Sequence, residues 1–207
     1  MLLYKKRKKQ RLEGQKIINE SVMSIGKTGN HKQNLSKSRR ITKEGRGESE
    51  TGLRRSIMER TLSGEWTYLI PMTVLDLEDQ LADPARTAAR YGLKGALEVP
   101  DEHMANILEI KLAKMKEVPD QAVFSTYFLI VALEGHEILG TIGFKGAPDE
   151  DGTIEVGYGI RPGFREKGYM TDALRTFTEF GLSLPGVSKI VACTSKDNAA
   201  SIRVLEK

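Results

Sequence analysis

Cysteine is nearly absent from this 207-residue sequence, since Cys193 is its only one. A single cysteine excludes an internal disulfide framework and a thiolate metal cluster, and it favours a reducing compartment. Long apolar runs are also lacking, because no stretch approaches the roughly 18 to 20 residues that a transmembrane helix needs. Charged residues make up 29% of the chain and hydrophobic residues 39%, which is typical of a soluble globular protein. The sequence therefore predicts a cytoplasmic protein that does not span a membrane.

Histidine is sparse as well, and His31, His103 and His136 lie far apart in the sequence. No two of them have the spacing of metal ligands, so we expect no bound metal. Cys193 alternates with apolar neighbours in a strand-like run. We interpret it as a core residue rather than a nucleophile.

Charge is divided unevenly along the chain. Residues 1–60 contain 17 Lys and Arg against 6 Asp and Glu, whereas residues 61–207 contain 15 against 22. The first segment also has few large apolar residues, so burial within it would not offset the loss of chain entropy. We interpret residues 1–60 as a basic, mostly disordered tail, with Met58 as an alternative first residue. Its basic run KKRKK could bind nucleic acid or anionic lipid, or serve as a nuclear address in a eukaryote, although a solvated tail is the simpler interpretation.

From about Trp66 the hydrophobic pattern becomes that of a folded domain, which we place at residues 66–207. β-branched and aromatic runs indicate strands, whereas apolar residues at spacings of three and four indicate helices. The order of these elements predicts an α/β sandwich with a mixed sheet, an antiparallel meander of three strands and covering helices. The predicted strands are residues 67–73, 126–135, 136–146, 153–160 and 188–195, and the predicted helices are residues 74–92 (broken near Pro84), 100–118, 170–184 and 197–207.

The segment GIRPGFREKGYMTDAL, residues 159–174, joins a strand to an amphipathic helix through a basic, glycine-rich turn. Gly163 and Gly168 permit backbone conformations that other residues avoid. Gly168 also stands where the helix begins, and the first amides of a helix lack intrahelical partners. Such amides and the positive end of the helix dipole favour a phosphate group, although a solvated loop is an equally good interpretation on physical grounds alone. Three basic side chains of the turn would add to this attraction: Arg161, Arg165 and Lys167.

The strand before this turn, residues 153–160, carries Gly157 and Gly159 on the same face as Glu155. Two glycines weaken a strand, so they indicate a bulge or the close approach of a ligand. Tight packing of a helix against the sheet explains them equally well from this strand alone.

Two motifs resemble those of the GNAT N-acetyltransferase superfamily, in particular its ribosomal-protein-acetyltransferase-like branch. Arg165-x-x-Gly168-x-Met170 is similar to the family's acetyl-CoA signature, and DNAASIRVLEK is similar to its Asp-Asn-x-x-Ser-x-x-x-Leu-Glu-Lys segment. The resemblance covers about residues 67–207. It implies a mixed, largely antiparallel sheet with two splayed parallel strands, flanked by helices. It also implies an enzyme that moves an acetyl group from acetyl-CoA directly to a primary amine.

The resemblance further implies roles for the matched residues. Glu155 resembles the glutamate that in many relatives accepts the proton of the amine, although an ordinary exposed carboxylate is the alternative. A backbone N–H at a bulge of its strand would polarise the thioester carbonyl. Met170 replaces a small residue of the signature, which we expect to change packing rather than binding. The last helix lacks the tyrosine that many relatives use as general acid, so that role stays unassigned. The residues implied to bind acetyl-CoA are Ile160, Arg161, Arg165, Glu166, Lys167, Gly168, Tyr169, Met170, Asn198 and Ser201.

The acceptor amine cannot be read from the sequence, and a protein N-terminus competes with polyamines, aminoglycosides and amino-acid-like molecules. Two functions of other classes stay open: a non-catalytic module that binds acyl-CoA, and nucleic-acid binding through the basic tail. Relatives continue beyond Leu-Glu-Lys into further strands, whereas this chain stops at Lys207. We therefore expect the closing strands to be missing, with an exposed sheet edge and an incomplete acceptor pocket.

Overall fold

The computed structural model describes residues 60–207 and, before them, the backbone of two strands. The strands of the described residues are β1 (Leu3–Tyr4), β2 (Glu20–Gly26), β3 (Leu62–Ser63), β4 (Thr67–Pro71), β5 (Tyr127–Ala132), β6 (Ile138–Phe144), β7 (Thr153–Ile160) and β8 (Lys189–Ser195). They form one sheet in the order β1-β2-β8-β7-β6-β5-β4-β3. Strands β4 to β7 are consecutive antiparallel neighbours, which includes the predicted meander.

The helices begin and end where the sequence supplies caps and breakers. Thr73 forms a capping box with Asp76, and Asp101 accepts a hydrogen bond from the N–H of Met104 at 2.7 Å. The predicted break near Pro84 separates two helices, and Gly92, with φ of 63°, ends the second. The described helices are α1 (Val74–Ala82), α2 (Ala85–Tyr91), α3 (Glu102–Glu117), α4 (Ala122–Ser125), α5 (Tyr169–Ser183) and α6 (Ala199–Leu205).

Helices cover both faces of the sheet. Alternate residues of β5 supply the two cores, because successive side chains of a strand point to opposite faces. Phe128 and Ile130 pack on the side of α5, where the ring centroids of Phe128 and Phe177 lie 5.1 Å apart. Leu129 and Val131 pack on the side of α1, α2 and α3. None of the helices in residues 60–207 has both the length and the apolar character needed to cross a membrane.

Among the eight strands, β7 and β8 are the one parallel pair, and they are joined only at their first residues. Thr153, Ile154 and Glu155 pair with Lys189, Ile190 and Val191, and the pairing ends there. The two strands therefore separate from Val156 onward. The mixed, largely antiparallel sheet with splayed parallel strands confirms the predicted fold class.

Strand β2 lies along the other edge of β8. Its seven residues pair antiparallel with β8, from Glu20 opposite Ser195 to Gly26 opposite Lys189. The expectation of an exposed edge at this place is wrong in this structure, because β2 occupies it. Both β1 and β2 fall within the segment that we predicted to be mostly disordered. The rest of that segment, up to residue 59, lies outside the described residues, so its character stays a prediction.

Candidate functional site

The gap between β7 and β8 is lined by backbone groups of β7. The N–H of Lys145 donates to the carbonyl of Glu155 at 2.8 Å, so the peptide groups of Glu155 face β6. Since these groups alternate in direction along a strand, those of Tyr158 and Ile160 face the gap. An extended ligand in the gap could pair with them as an added strand would.

The turn from β7 to α5 presents further backbone groups. It contains a 3₁₀ turn, Pro162–Phe164, and two residues with positive φ, Glu166 at 62° and Gly168 at 85°. Gly163 has an ordinary φ, contrary to our expectation for it, whereas Gly168 has the expected one. The first three amides of α5 have no hydrogen-bond acceptor among the described residues. These amides lie at the positive end of the helix dipole and are suited to an anion.

The end of β7 that faces the gap, from Tyr158 to Ile160, and the turn border a single groove of about 930 Å³, which α6 closes on the far side. This volume lies within the range of small-molecule and cofactor sites. Met170 is one of its lining residues, and its side chain is buried in the core beneath α5. Eight of the ten residues implied to bind acetyl-CoA line the groove: Ile160, Arg165, Glu166, Gly168, Tyr169, Met170, Asn198 and Ser201.

The side chains of the other two, Arg161 and Lys167, are not part of the groove lining. Arg161 donates from Nη1 to the carbonyl of Ile138 at 2.6 Å and lies 3.3 Å from Glu137 Oε1. Its guanidinium therefore binds the connection between β5 and β6 and the first residue of β6. Lys167 lies against the Phe164 ring, with its Nζ 5.5 Å from the ring centroid.

Glu155 is the last residue of β7 before the gap opens. Its Oε1 is buried and receives no hydrogen bond from the described residues. Lys145 Nζ lies 2.5 Å from this atom as an ion pair, but without the geometry of a hydrogen bond. A carboxylate oxygen in this state can accept a proton or a hydrogen bond from a ligand that carries a donor.

The two glycines of β7 leave space on the Glu155 face. A Cβ added to Gly159 would have no atom within 4 Å, so tight helix packing does not explain this glycine. A Cβ on Gly157 would lie 3.4 Å from Lys145 Cε, so the lysine side chain covers that residue. The expected bulge is also not found here, because the β6–β7 register from Gly140 to Phe144 has no shift.

Tyr158 is a groove residue that the sequence reasoning missed. Its hydroxyl lies 2.9 Å from Ser201 Oγ and so links β7 to α6. Burial raises the pKa of Tyr158 above its ordinary value and outweighs the lowering by the Ser201 hydrogen bond. The hydroxyl therefore stays protonated at neutral pH. The family resemblance points to a tyrosine in the last helix, whereas Tyr158 reaches that helix from β7.

Three further candidates, Cys193, His103 and His136, are not part of the groove lining. Cys193 is half-buried in β8, and His103 is exposed near the start of α3. His136 Nδ1 lies 3.0 Å from the Tyr68 hydroxyl, and His31 falls outside the described residues. In the part of the chain that the structure describes, no three His, Cys, Asp or Glu residues are grouped as metal ligands would be.

Comparison with known proteins identifies relatives that are similar in sequence. The uncharacterized N-acetyltransferase YjdG of Bacillus subtilis (strain 168) is 40% identical over 80 residues, which cover 39% of this chain and 48% of that protein. The uncharacterized N-acetyltransferase p20 of Bacillus licheniformis is 30% identical over 78 residues, or 38% of this chain and 44% of that protein. The chain thus spans about half the length of the curated relatives it matches.

A solved structure and a family model extend the comparison to most of the folded part. The ribosomal-protein-S5-alanine acetyltransferase from Vibrio fischeri has a TM-score of 0.51 at 17% identity, over 71% of this chain and 80% of that one, which shows a shared fold. The model of the acetyltransferase (GNAT) domain matches residues 67–207. This range is more than half of the chain and includes β7, α5 and α6, which surround the groove. The chain therefore belongs to the GNAT acetyltransferase family.

Proposed function

We propose that this protein is an acetyl-CoA-dependent N-acetyltransferase that transfers the acetyl group directly to a primary amine. The observation that carries the proposal is the groove, in which a gap between parallel strands leads to free amides at a helix start. Family membership and relatives named N-acetyltransferases support it. When bound, acetyl-CoA supplies the acetyl group in an activated form, as a thioester.

The residues of the groove fit the parts of such a ligand. The free amides at the start of α5, together with Arg165, would hold the pyrophosphate. The peptide groups of Tyr158 and Ile160 would pair with the amide-containing arm along the gap. Asn198 caps α6 by accepting a hydrogen bond from the N–H of Ser201 at 3.0 Å, which fixes the wall opposite.

The chemistry requires a neutral amine, a proton acceptor and a proton donor. We assign the acceptor role to Glu155, because its Oε1 is buried where the gap begins and has an ion pair with Lys145 but no hydrogen bond of suitable geometry among the described residues. The departing thiolate needs a proton, and we assign its donation to Tyr158 and Ser201, whose hydroxyls meet in the groove. Positioning of the amine beside the thioester would supply the remaining acceleration.

The acceptor that we propose is a protein N-terminus or a small-molecule amine. The Vibrio fischeri protein that shares the fold is named for the alanine of ribosomal protein S5. A peptide with an N-terminal alanine is therefore the first acceptor to test, followed by polyamines, aminoglycosides and free amino acids.

Thermal unfolding with and without acetyl-CoA tests the binding step. A ligand at a hundredfold excess over its Kd stabilises a protein by about 2.7 kcal/mol, so the midpoint should rise clearly. ATP, which lacks the pantetheine arm, is the control and should stabilise less. Absence of stabilisation by acetyl-CoA would contradict the proposal.

Release of free thiol in the presence of the amine panel tests turnover. We expect at least one primary amine to accelerate release over the rate without amine. Stabilisation by acetyl-CoA without thiol release for any amine would favour a module that binds acyl-CoA and does not catalyse transfer.

A further inference from the structure

Lys145 lies directly opposite Glu155 across β6 and β7. Its backbone N–H donates to the Glu155 carbonyl, which makes the two residues cross-strand neighbours on one face of the sheet. Its Nζ lies 2.5 Å from Glu155 Oε1, and its Cε covers Gly157. The gap between β7 and β8 opens at Val156, which lies between Glu155 and Gly157. The ammonium group of Lys145 is therefore held at the opening of the gap.

This position is the one that an acceptor must reach. In the proposed reaction a primary amine comes within hydrogen-bond distance of Glu155 next to the thioester. Lys145 carries a primary amine that already contacts Glu155. Its side chain is 55% exposed and its four-carbon stem is flexible, so Nζ can move along the gap without disturbing the core.

We propose that Lys145 is an internal acetyl acceptor, which the protein acetylates when no external amine is bound. This inference rests on the proposed function. The ammonium of Lys145 gives one proton to Glu155, and the neutral Nζ forms a bond to the acetyl carbonyl carbon. The carbon–sulfur bond of the thioester breaks, and CoA leaves with the electron pair and takes up a proton as free thiol. Nothing is oxidised or reduced, and one proton in total is released to the solvent.

Lys116 provides a matched comparison within the same chain. Its Nζ lies 2.7 Å from Glu78 Oε1, and its side chain is 53% exposed, close to the value for Lys145. It is located on α3 and pairs with a residue of α1, whereas Lys145 directly follows β6, the neighbour of β7. The two lysines therefore share exposure and an ion pair and differ in their distance from the gap. An exposed ion pair alone contributes little to stability, which makes Lys116→Arg a harmless control.

The experiment incubates the full chain with acetyl-CoA and no amine and follows the intact mass. We expect the mass of one acetyl group to be added, and peptide mapping to place it on Lys145. Lys145→Arg should lose this product, and Lys116→Arg should retain it. Glu155→Gln should slow it by about a hundredfold or more, the usual contribution of a general base.

A second measurement does not depend on turnover. Desulfo-CoA, which lacks the thiol and cannot donate an acetyl group, should shield Lys145 from an amine-reactive acetyl ester. We expect a severalfold loss of labelling at Lys145 and no change at Lys116. Undiminished labelling of Lys145 in the presence of saturating desulfo-CoA would overturn the placement of its amine at the gap.

The outcomes separate this inference from the function on which it rests. Acetylation of external amines without acetylation of Lys145 overturns the inference and leaves the function in place. Equal acetylation of Lys145 and Lys116, unaffected by Glu155→Gln, indicates uncatalysed reaction with acetyl-CoA and also overturns it. If neither external amines nor Lys145 are acetylated, the inference and the function fail together.

Discussion

Glu155 holds a buried carboxylate oxygen at the opening of a gap between two strands, with a lysine as its ion-pair partner. Replacement by glutamine keeps the shape of the side chain and removes its ability to take up a proton. We expect Glu155→Gln to lower turnover by about a hundredfold or more, because a general base contributes about that factor. The stabilisation by acetyl-CoA should not change, since the groove residues that would bind it stay intact.

Thiol release and thermal unfolding measure these two effects. Glu78→Gln is the control, because it removes a carboxylate that pairs with Lys116 away from the groove. Full turnover in Glu155→Gln would place the proton acceptor elsewhere in the protein.

Tyr158 contributes a hydroxyl whose described partner is Ser201, on the opposite wall of the groove. Tyr158→Phe removes that hydroxyl and keeps the ring. If the hydroxyl delivers a proton to the thiolate, turnover should fall by at least tenfold, within the usual range for a general acid. The free energy of unfolding should fall by only about 1 kcal/mol, the value of one hydrogen bond.

Steady-state kinetics and urea unfolding check this expectation. Tyr68→Phe removes a hydroxyl that contacts His136, outside the groove lining, and should leave turnover unchanged. An equal, small effect of both substitutions would reduce Tyr158 to a structural role.

At the scale of the element, a carboxylate in the first turn of α5 anchors this helix to the chain at the start of β4. The Asp172 carboxylate accepts hydrogen bonds from the N–H groups of Glu65, Trp66 and Thr67, each at 3.0 Å, and from the Thr67 hydroxyl at 2.7 Å. Burial alone raises the pKa of Asp172, but these donors outweigh it and lower the pKa below its ordinary value. The start of the helix, which carries the groove amides, is thereby fixed to β4.

Asp172→Asn should therefore destabilise the fold by about 1–3 kcal/mol, because an amide leaves some of these buried donors unsatisfied. The contribution of Asp172 is present above the pKa of an unfolded carboxyl and is lost as the pH falls through the lower folded value. The difference in the free energy of unfolding between wild type and Asp172→Asn should therefore become smaller in acid. Chemical denaturation at several pH values measures it, with the exposed Asp120→Asn as control.

Strand β2 is the element that covers the outer edge of β8. Backbone N–H groups alternate in direction along a strand, so either Val22→Pro or Met23→Pro must remove one that faces β8. That variant should loosen the pairing and expose the β8 edge to solvent. Hydrogen exchange of the β8 amides should become faster in the variant that loses the N–H facing β8. In the other proline variant, the exchange rate should stay closer to that of wild type. Unchanged exchange in both variants would contradict the β2–β8 pairing.

At the scale of the whole molecule, one buried lysine makes the free energy of unfolding depend on pH in the alkaline range. Lys111 Nζ donates to the Phe144 carbonyl at 2.7 Å and lies 4.5 Å from the Tyr127 ring centroid. Burial, with a smaller contribution from the charge of Lys114, lowers the pKa of Lys111 to about 8. Between this value and the ordinary 10.5, the unfolded chain binds more protons than the folded one. The contribution of Lys111 to stability therefore rises with pH in that window.

Lys111→Met should remove this rise, which urea unfolding across the same pH window can measure. Lys196→Met, at an exposed position, is the control and should retain the wild-type slope. A Lys111→Met variant with the same slope as wild type would show that Lys111 is not the titrating group.

Much of this molecule follows from local sequence signals. The break of the first helix at Pro84 and the start of α5 after Gly168 were both predicted, because capping and backbone preferences act within a few residues. The meander and the two motifs were readable for the same reason, since each occupies a continuous stretch. Eight of the ten residues that these motifs pointed to line one groove.

The tertiary structure alone decided which distant residues meet. Strand β2 pairs with β8, more than 160 residues further along the chain, and its short sequence ESVMSIG carries no signal for that pairing. The direction of Arg161 depends on the carbonyl of Ile138, and the contact of Tyr158 depends on Ser201 across the groove. Lys145 reaches Glu155 because β6 and β7 align in one particular register. Local preferences determined the elements of this protein, whereas packing between them placed the side chains that give the groove its chemistry.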